Sequence, residues 1–244
     1  MKCFPMIKQA KEADLPYLQR LAKRSPFGLK IWGEVSAYGL RQDFLPVWVQ
    51  TRGEKVTAVL SRIGDTVTLE AEENADFHEL GVFCRMMGRY LFVRSELAGA
   101  FHKKALDEGA VMCHPGGGLG FSGENPPLSE VYRVLSACRE EFPHLPPFED
   151  WYVDMSHRIR HGAARAFLSK EQTSCALLTV CTAEGAILSG AATVPACRGR
   201  GGASRLMKRI CESGETIFLF CERKLLPFYL PLGFRETGAW AVLT

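Results

Sequence analysis

The segment TVPACRGRGGASRLMKRIC, residues 193–211, constrains the fold more than any other part of the chain. An apolar run typical of a strand ends at Pro195, and a corner with two arginines and three glycines follows at residues 198–202. From Ala203 onward, apolar residues recur at i, i+3, i+4, i+7 and i+8, which predicts an amphipathic helix. The segment therefore predicts a strand, a cationic glycine-rich corner and a helix in immediate succession.

This corner has the chemistry of an anion-binding site. The first turn of a helix presents backbone N–H groups without intrahelical acceptors and carries a partial positive charge. Gly199, Gly201 and Gly202 permit positive φ and a close approach of the backbone to a ligand. The sequence therefore predicts a phosphate or pyrophosphate site, and a solvated glycine turn is the alternative. The glycine spacing matches neither the P-loop nor the GxGxxG dinucleotide motif.

Predicted strands and helices alternate along the chain, which indicates an α/β fold. In the first half we predict a short strand at PMIKQA, a helix after Asp14, strands at PVWVQT, KVTAVLSRI and DTVTLEA, a helix over 77–87, a strand at RYLFVRS and a helix over 98–108. In the second half we predict a helix after Ser129, strand-like parts in 151–168, strands at TIFLFC and AWAVLT, and a proline-interrupted segment at 225–234.

The apolar stretch at 174–194 has the length of a membrane span. Glu184 lies in its middle, within a turn-like Ala-Glu-Gly sequence. A hairpin of two buried strands explains this pattern better than a membrane helix.

The domain boundary is predicted at HPGGGLGFSGENPP, residues 114–127, because glycine and proline dominate it. A phosphate-binding loop is the alternative, but the Lys-Ser/Thr ending is missing. We predict one domain at 1–115, a linker at 116–127 and a second domain at 128–244. Both halves share a loose order of helix, strands, helix and strand.

Composition narrows the function classes. A net charge of +3 gives no strong attraction to nucleic acid or membranes. The nine cysteines form no CxxC pair and have no zinc-ligand spacing, so we predict no metal and reduced, mostly buried thiols. No signal peptide is evident, and the expected location is cytoplasmic. Cys197, beside two arginines, is the alternative candidate for a reactive thiol.

The corner matches a known family signature. Arg198-Gly199-Arg200-Gly201-Gly202-Ala203 resembles the R/Q-x-x-G-x-G/A pattern of the GCN5-related N-acetyltransferases (GNAT family). A second block, FYLPLGF at 228–234, is similar to another element of the family through Tyr229, Gly233 and Phe234. The resemblance covers about residues 176–238. The first half is similar only in its order of elements, as expected of a degenerate copy.

The resemblance implies two GNAT-like domains of the α/β (α+β) class, each a mixed, mostly antiparallel sheet flanked by helices. It also implies acetyl-CoA as co-substrate, a pantetheine arm along residues 192–194 and a pyrophosphate held by backbone N–H groups from 198 to 204. The implied cofactor-binding residues are Ala192, Thr193, Val194, Arg198, Gly199, Arg200, Gly201, Gly202, Ala203 and Ser204.

The same resemblance makes Tyr229 the general acid that protonates the leaving thiolate, and a core tyrosine is the alternative. Glu222 occupies a position where the family often has asparagine; it is a catalytic candidate as the proton acceptor, and the alternative is that it loosens a contact with CoA. Other candidates for that role are His157, His161 and Asp154. Pro231 departs from the family pattern, because it is expected to kink or end the helix that carries Tyr229.

The expected function is transfer of an acetyl or other acyl group from acetyl-CoA to a primary amine, by direct attack in a ternary complex. A non-catalytic acyl-CoA-binding or regulatory protein is the alternative, and a nucleic-acid-binding module is a third, disfavoured by the net charge. We expect a monomer or homodimer with no nucleic-acid or membrane partner. The acceptor stays open among small amines, amino acids, antibiotics and protein amino groups.

Overall fold

The chain divides into two units in the computed structural model, which describes residues 5–116, 124–212 and 215–244. Unit 1 consists of Met1–Val111 together with Thr237–Thr244, and unit 2 consists of Met112–Glu236. Residues 237–244 are predicted from the sequence to belong to the second domain, whereas the structure groups them with the first. Most of the predicted linker, residues 117–123, lies outside the described residues.

Unit 1 is built on a mixed sheet. Its elements are β1 (Pro5–Gln9), α1 (Leu15–Ala22), α2 (Pro26–Tyr38), β2 (Val47–Arg52), β3 (Lys55–Ile63), β4 (Thr66–Ala71), α3 (Phe77–Met87), β5 (Tyr90–Arg94), α4 (Ser95–Ala98) and β6 (Ala105–His114), whose residues from Met112 onward belong to unit 2. Strands β1 to β4 pair in sequence and antiparallel, whereas β4 and β5 are parallel. The last strand of the chain, β11 (Arg235–Leu243), pairs antiparallel with β5 through Trp240–Leu243.

Apolar clusters of the described residues form the core of unit 1. Residues of α1 and α2, such as Leu18 and Ile31, pack against Val49 of β2. Leu80 of α3 packs in a second cluster with Leu69 of β4. Helices therefore contribute to each cluster beside the strands, as the burial of apolar sheet residues requires.

Unit 2 repeats this type of construction. Its elements are α5 (Leu128–Ser136), α6 (Phe148–Arg160), β7 (Arg165–Leu168), β8 (Ser174–Thr182), β9 (Gly185–Thr193), α7 (Gly202–Cys211), β10 (Ile217–Cys221) and α8 (Leu226–Tyr229). Strands β7, β8 and β9 are antiparallel neighbours, and β10 joins β9 in parallel. Val131 and Leu135 of α5 and Met155 of α6 form the core with residues of β7 and β8.

Several predicted elements are confirmed. The structure has a short strand at PMIKQA, helix α3 over 77–87, the strands of 47–71, and the hairpin of β8 and β9. Among the described residues, no helix has both the length and the apolar character that crossing a membrane requires. Gly214, which directly follows the helical pattern of α7, lies outside the described residues.

Two predicted elements are wrong, and one helix was missed. The helix expected over 98–108 is replaced by the end of α4 and by β6, because the buried run 109–112 fits a strand within a sheet. The strand-like interpretation of 151–160 is wrong because Trp151 and Met155 share the buried side of α6 at helical spacing. Helix α2 was missed, although Ser25 and Pro26 are typical of a helix start.

The described cysteines are free and mostly buried, as predicted. Burial raises the pKa of the Cys84 and Cys175 thiols to about 12, from an ordinary value of 9.0. The unfolded chain therefore releases these protons first as the pH rises, and the unfolded state gains stability relative to the folded state.

We expect stability to be independent of these thiols below about pH 9 and to fall as the pH rises from about 9 to 12. Urea denaturation midpoints measured between pH 7 and 11 check this expectation. The C84A/C175A variant should show a shallower fall above pH 9. A fall as steep as that of the wild type would mean that other groups cause it.

Candidate active site

Strands β9 and β10 separate partway along their length. They pair only from Ala186 to Leu188, whereas β9 continues to Thr193 beside β8. The register of β8 and β9 shifts where Gly190 adopts φ +58°, and such a bulge bends its strand. The only signal of this bulge in the sequence is a glycine inside a strand. Ala192 and Thr193, which are predicted to bind the cofactor, lie on the part of β9 that no longer pairs with β10, and Val194 follows directly.

The corner follows directly from this part of β9. After a short 3-10 turn at Pro195–Cys197, Gly199 and Gly201 adopt φ values of +76° and +73°, which favour glycine. Gly201 is the N-cap of α7. A Cβ added to Gly202 would lie 2.8 Å from the Ser174 hydroxyl oxygen, which is hydrogen-bonded to the Thr193 hydroxyl at 2.9 Å. Glycine is therefore favoured at 199 and 201 by the positive φ, and at 202 by the close contact with Ser174.

A run of backbone N–H groups in this corner has no acceptor. The N–H groups of Cys197 and Arg198 donate to Val194 and Pro195 carbonyls, and the N–H of Arg205 donates to the Gly201 carbonyl. Between these, the N–H groups of residues 199–204 have no acceptor within the described part of the chain. Such a run at a helix N-terminus fits a phosphate or diphosphate.

The two corner arginines have different surroundings. Arg198 forms an ion pair with Glu141 at 2.7 Å and donates through Nε to the Thr193 carbonyl at 3.1 Å. The hydrogen bond from Arg198 lowers the pKa of Glu141. Arg200 is exposed, and its guanidinium has no partner among residues 5–116, 124–212 and 215–244. Arg198 therefore links the corner to Glu141 and to the end of β9, whereas the Arg200 guanidinium is available to a ligand.

Replacing Arg200 by glutamine is expected to weaken acetyl-CoA binding about 10- to 100-fold, since a charge-assisted hydrogen bond to phosphate contributes about 1.5–3 kcal/mol. Calorimetric titration measures this change. Arg160→Gln is the matched control, because it removes the same exposed charge from the end of α6. Equal affinities of all three proteins would show that Arg200 has no part in binding.

Tyr229 ends α8, and its side chain is buried, with 6% of the residue exposed. Its ring contacts the rings of Phe228 and Phe234, at centroid distances of 5.0 and 5.4 Å. Burial raises the pKa of the Tyr229 phenol to about 12, with a smaller contribution from Cys221. The phenol is therefore a proton carrier that stays protonated at neutral pH. The helix stops at Tyr229, in agreement with the prediction from Pro231.

The candidate proton acceptors lie in different places. Glu222 directly follows β10, is exposed and pairs with Lys224 at 2.7 Å. The other three candidates lie on or directly after α6, whose end is joined to β8 by the hydrogen bond from Cys181 N to the Ala163 carbonyl. This is the end of β8 away from Ser174 and the corner, so His157 and His161, in the last turn of α6 and directly after it, lie away from the corner. Asp154, in the middle of α6, forms an ion pair with Arg158 at 2.9 Å.

His114 is a further polar residue near Tyr229, and no sequence motif singles it out. Its ring lies against Phe234 at a centroid distance of 5.3 Å, and its buried Nδ1 has no hydrogen-bond partner among the described residues. A Cβ at Gly233 would lie 3.1 Å from its Nε2. Phe234 thus contacts both His114 and Tyr229. No sequence pattern signals this contact, because it joins residues distant in the chain.

No protein-family model matches the sequence, and no curated protein is significantly similar to it. Solved structures do match. A GCN5-related N-acetyltransferase from Sphaerobacter thermophilus aligns with TM-score 0.61 and 14% identity over 98% of this chain and 94% of its own. A GNAT-family acetyltransferase from Colwellia psychrerythraea gives TM-score 0.55 and 9% identity over 98% of this chain and 100% of its own.

A third structure is a tandem GNAT protein from the clavulanic acid biosynthesis pathway. It aligns with TM-score 0.58 and 11% identity over 98% of this chain and 97% of its own. Structural similarity over nearly the whole chain establishes the fold, although the sequence identity is low. The chain therefore has the fold of two GNAT-like domains in tandem, each a mixed, mostly antiparallel sheet flanked by helices.

Proposed function

We propose that this chain is an acyl-CoA-dependent N-acyltransferase that transfers an acetyl or other acyl group to a primary amine within a ternary complex, with its working site in unit 2. The observation that carries the proposal is the run of acceptor-free N–H groups at 199–204, placed at the end of the strand that has left β10. The GNAT fold supports acyl transfer as the reaction class.

Binding of CoA uses the backbone more than side chains. The N–H groups of 199–204 hold the diphosphate, and a preformed backbone site avoids the loss of side-chain entropy. Arg200 meets a phosphate, while Arg198 keeps the corner in place through Glu141. The pantetheine arm lies along residues 192–194, on the side of β9 without a strand partner beyond Leu188.

When bound, acyl-CoA supplies a thioester whose carbonyl carbon is open to attack by a neutral amine. The new C–N bond forms as the C–S bond breaks, and the sulfur needs a proton. Tyr229 provides that proton from its phenol, which its buried position keeps protonated. The amine loses one proton as the C–N bond forms, and a second group, which acts as a base, accepts it.

Glu222 is the proposed acceptor of the amine proton, directly or through water. For this role the ion pair between Glu222 and Lys224 has to open, so that the Glu222 carboxylate can contact the amine or a water molecule. Replacement by glutamine keeps the shape and removes the basicity. The E222Q variant should lose turnover and keep acetyl-CoA affinity, and turnover equal to that of the wild type would remove Glu222 from the mechanism.

The test of the function is release of free thiol from acetyl-CoA in the presence of a panel of amines, with the acylated product identified by mass. Amine-dependent release together with an acylated product supports the proposal. If acetyl-CoA binds but no amine, amino acid, peptide or aminoglycoside gives release above the rate without acceptor, the non-catalytic acyl-CoA-binding function replaces it.

A further inference from the structure

Unit 1 contains a cavity of about 630 Å³. Its walls are the junction of α1 and α2, the end of β4 with the loop after it, the beginning of α4, and residues 237–239 of β11. Every residue that lines it belongs to unit 1. The volume lies in the range of small-molecule binding sites.

The loop after β4 excludes CoA phosphates as the ligand. In the order of elements, this loop corresponds to the glycine corner after β9, but its sequence at 72–76 is Glu-Glu-Asn-Ala-Asp. The Asp76 carboxylate accepts a hydrogen bond from the Glu79 N–H at 2.9 Å, within the first turn of α3. Carboxylates thus stand where a diphosphate would need donors.

The space between β4 and β5 is also occupied. The last pair of these strands is Thr68 with Phe92, and beyond it the Arg94 guanidinium donates to the Ala71 carbonyl at 2.8 Å. In unit 2 the corresponding carbonyls of β9 also accept hydrogen bonds from side chains, from Arg198 and Cys138 at Thr193 and from Cys175 at Gly190. The difference between the units is that only the corner after β9 supplies a run of backbone donors within the described part of the chain. The unit 1 cavity therefore serves a different ligand.

An ion pair with one buried partner lies in the cavity wall. The Glu70 side chain is only 5% exposed, pairs with Arg94 at 2.9 Å and accepts a hydrogen bond from the Ser25 hydroxyl. Burial raises the pKa of Glu70. An ion pair of this kind contributes little net stability, and a desolvated carboxylate in a cavity is a candidate for a functional group.

The cavity has a net negative charge. Arg24 pairs with Glu72 at 3.5 Å, so two ion pairs account for two of the four lining carboxylates. Glu73 and Glu96 are exposed, and no cation pairs with either within the described part of the chain. Two carboxylates thus remain for a ligand.

Part of the remaining wall is apolar, although polar groups contribute more of the cavity surface than apolar groups do. Leu21, Phe27 and Val111 line the cavity and are themselves at most 6% exposed. An apolar patch beside two unpaired carboxylates is complementary to a ligand that combines a short hydrocarbon chain with positive charge.

We propose that this cavity binds a small aliphatic amine in its protonated form, with ammonium groups at Glu73 and Glu96 and the carbon chain against Leu21 and Phe27. Unit 1 has carboxylates where the diphosphate of CoA would need donors, so this amine site has no acyl donor of its own and is a non-catalytic one. This inference stands on the cavity alone and does not depend on the function proposed for unit 2.

Calorimetric titration of the full chain with three probes of equal length tests the inference: 1,4-diaminobutane, 1,4-butanediol and succinate. The diamine should bind, and the neutral and anionic probes should not. E73Q/E96Q should bind the diamine at least about tenfold more weakly, since each lost charge-assisted hydrogen bond is worth about 1.5–3 kcal/mol.

The matched control is E12Q/E54Q, which removes two exposed carboxylates of unit 1 away from the cavity. It should bind the diamine as the wild type does. Three results would overturn the proposal: no diamine binding at millimolar concentration, equal loss of affinity in both double variants, or undiminished binding in E73Q/E96Q. The last result would place the diamine elsewhere in the chain.

Discussion

Replacing Gly201 by glutamate is expected to weaken acetyl-CoA binding at least about 100-fold, which corresponds to about 2.7 kcal/mol. Gly201 is the N-cap of α7, in the middle of the acceptor-free N–H groups of 199–204. A carboxylate attached there competes with the diphosphate for these donors and repels its charge. Its φ of +73° adds strain for any side chain. Calorimetry with acetyl-CoA measures the loss.

The control for backbone strain is Gly162→Glu. Gly162 has a similar φ of +70° and is exposed, and a new side chain there would meet open space, because nothing lies within 4 Å of an added Cβ. It follows α6, at the end of β8 away from the corner. Both variants should lose similar thermal stability, and only Gly201→Glu should lose affinity. Equal affinities in the two variants would contradict the assignment of the corner.

Replacing Tyr229 by phenylalanine is expected to lower kcat about 10²–10⁴-fold and to leave acetyl-CoA affinity within about threefold of the wild type. The ring contacts with Phe228 and Phe234 remain, so the change removes only the phenol that protonates the leaving sulfur. Because the pKa of Tyr229 is about 12, the wild-type pH profile should show no ionisation of this group below about pH 11. Steady-state kinetics with a reactive amine measures both effects.

Tyr132→Phe is the matched control in the same unit. The Tyr132 hydroxyl donates to the Pro146 carbonyl at 2.8 Å, so its loss removes one structural hydrogen bond. Its effect should appear in thermal stability and leave kcat unchanged. If both variants keep wild-type kcat, Tyr229 is a core residue and another group protonates the sulfur.

Elements with a complete local pattern could be predicted from the sequence. Helix α7 has an uninterrupted apolar stripe, and the β8–β9 hairpin has two apolar runs around one turn. Helix α6 was not predicted because only Trp151 and Met155 are buried in it, and the exposed apolar residues Tyr152 and Val153 between them hide the helical spacing in the sequence. Strand β6 was not predicted because its first four residues are not buried and show no alternation of apolar and polar residues, and its place in a sheet depends on partners far away in sequence.

In the candidate site, too, local features could be predicted from the sequence and long-range contacts could not. The glycine corner could be predicted because its chemistry lies within a few consecutive residues. The different surroundings of Arg198 and Arg200 could not, because Glu141 is distant in sequence. The contact of His114 with Phe234 and the grouping of residues 237–244 with unit 1 likewise depend on long-range packing.

The most direct test of the central claim is a calorimetric titration of the wild-type chain with acetyl-CoA, with dephospho-CoA and ATP as comparisons. We predict micromolar binding of acetyl-CoA at one site per chain, because unit 2 has the donor-rich corner and unit 1 has carboxylates in its place. Absence of binding by any CoA species would contradict the assignment of the corner. A stoichiometry of two would contradict the distinction between the units.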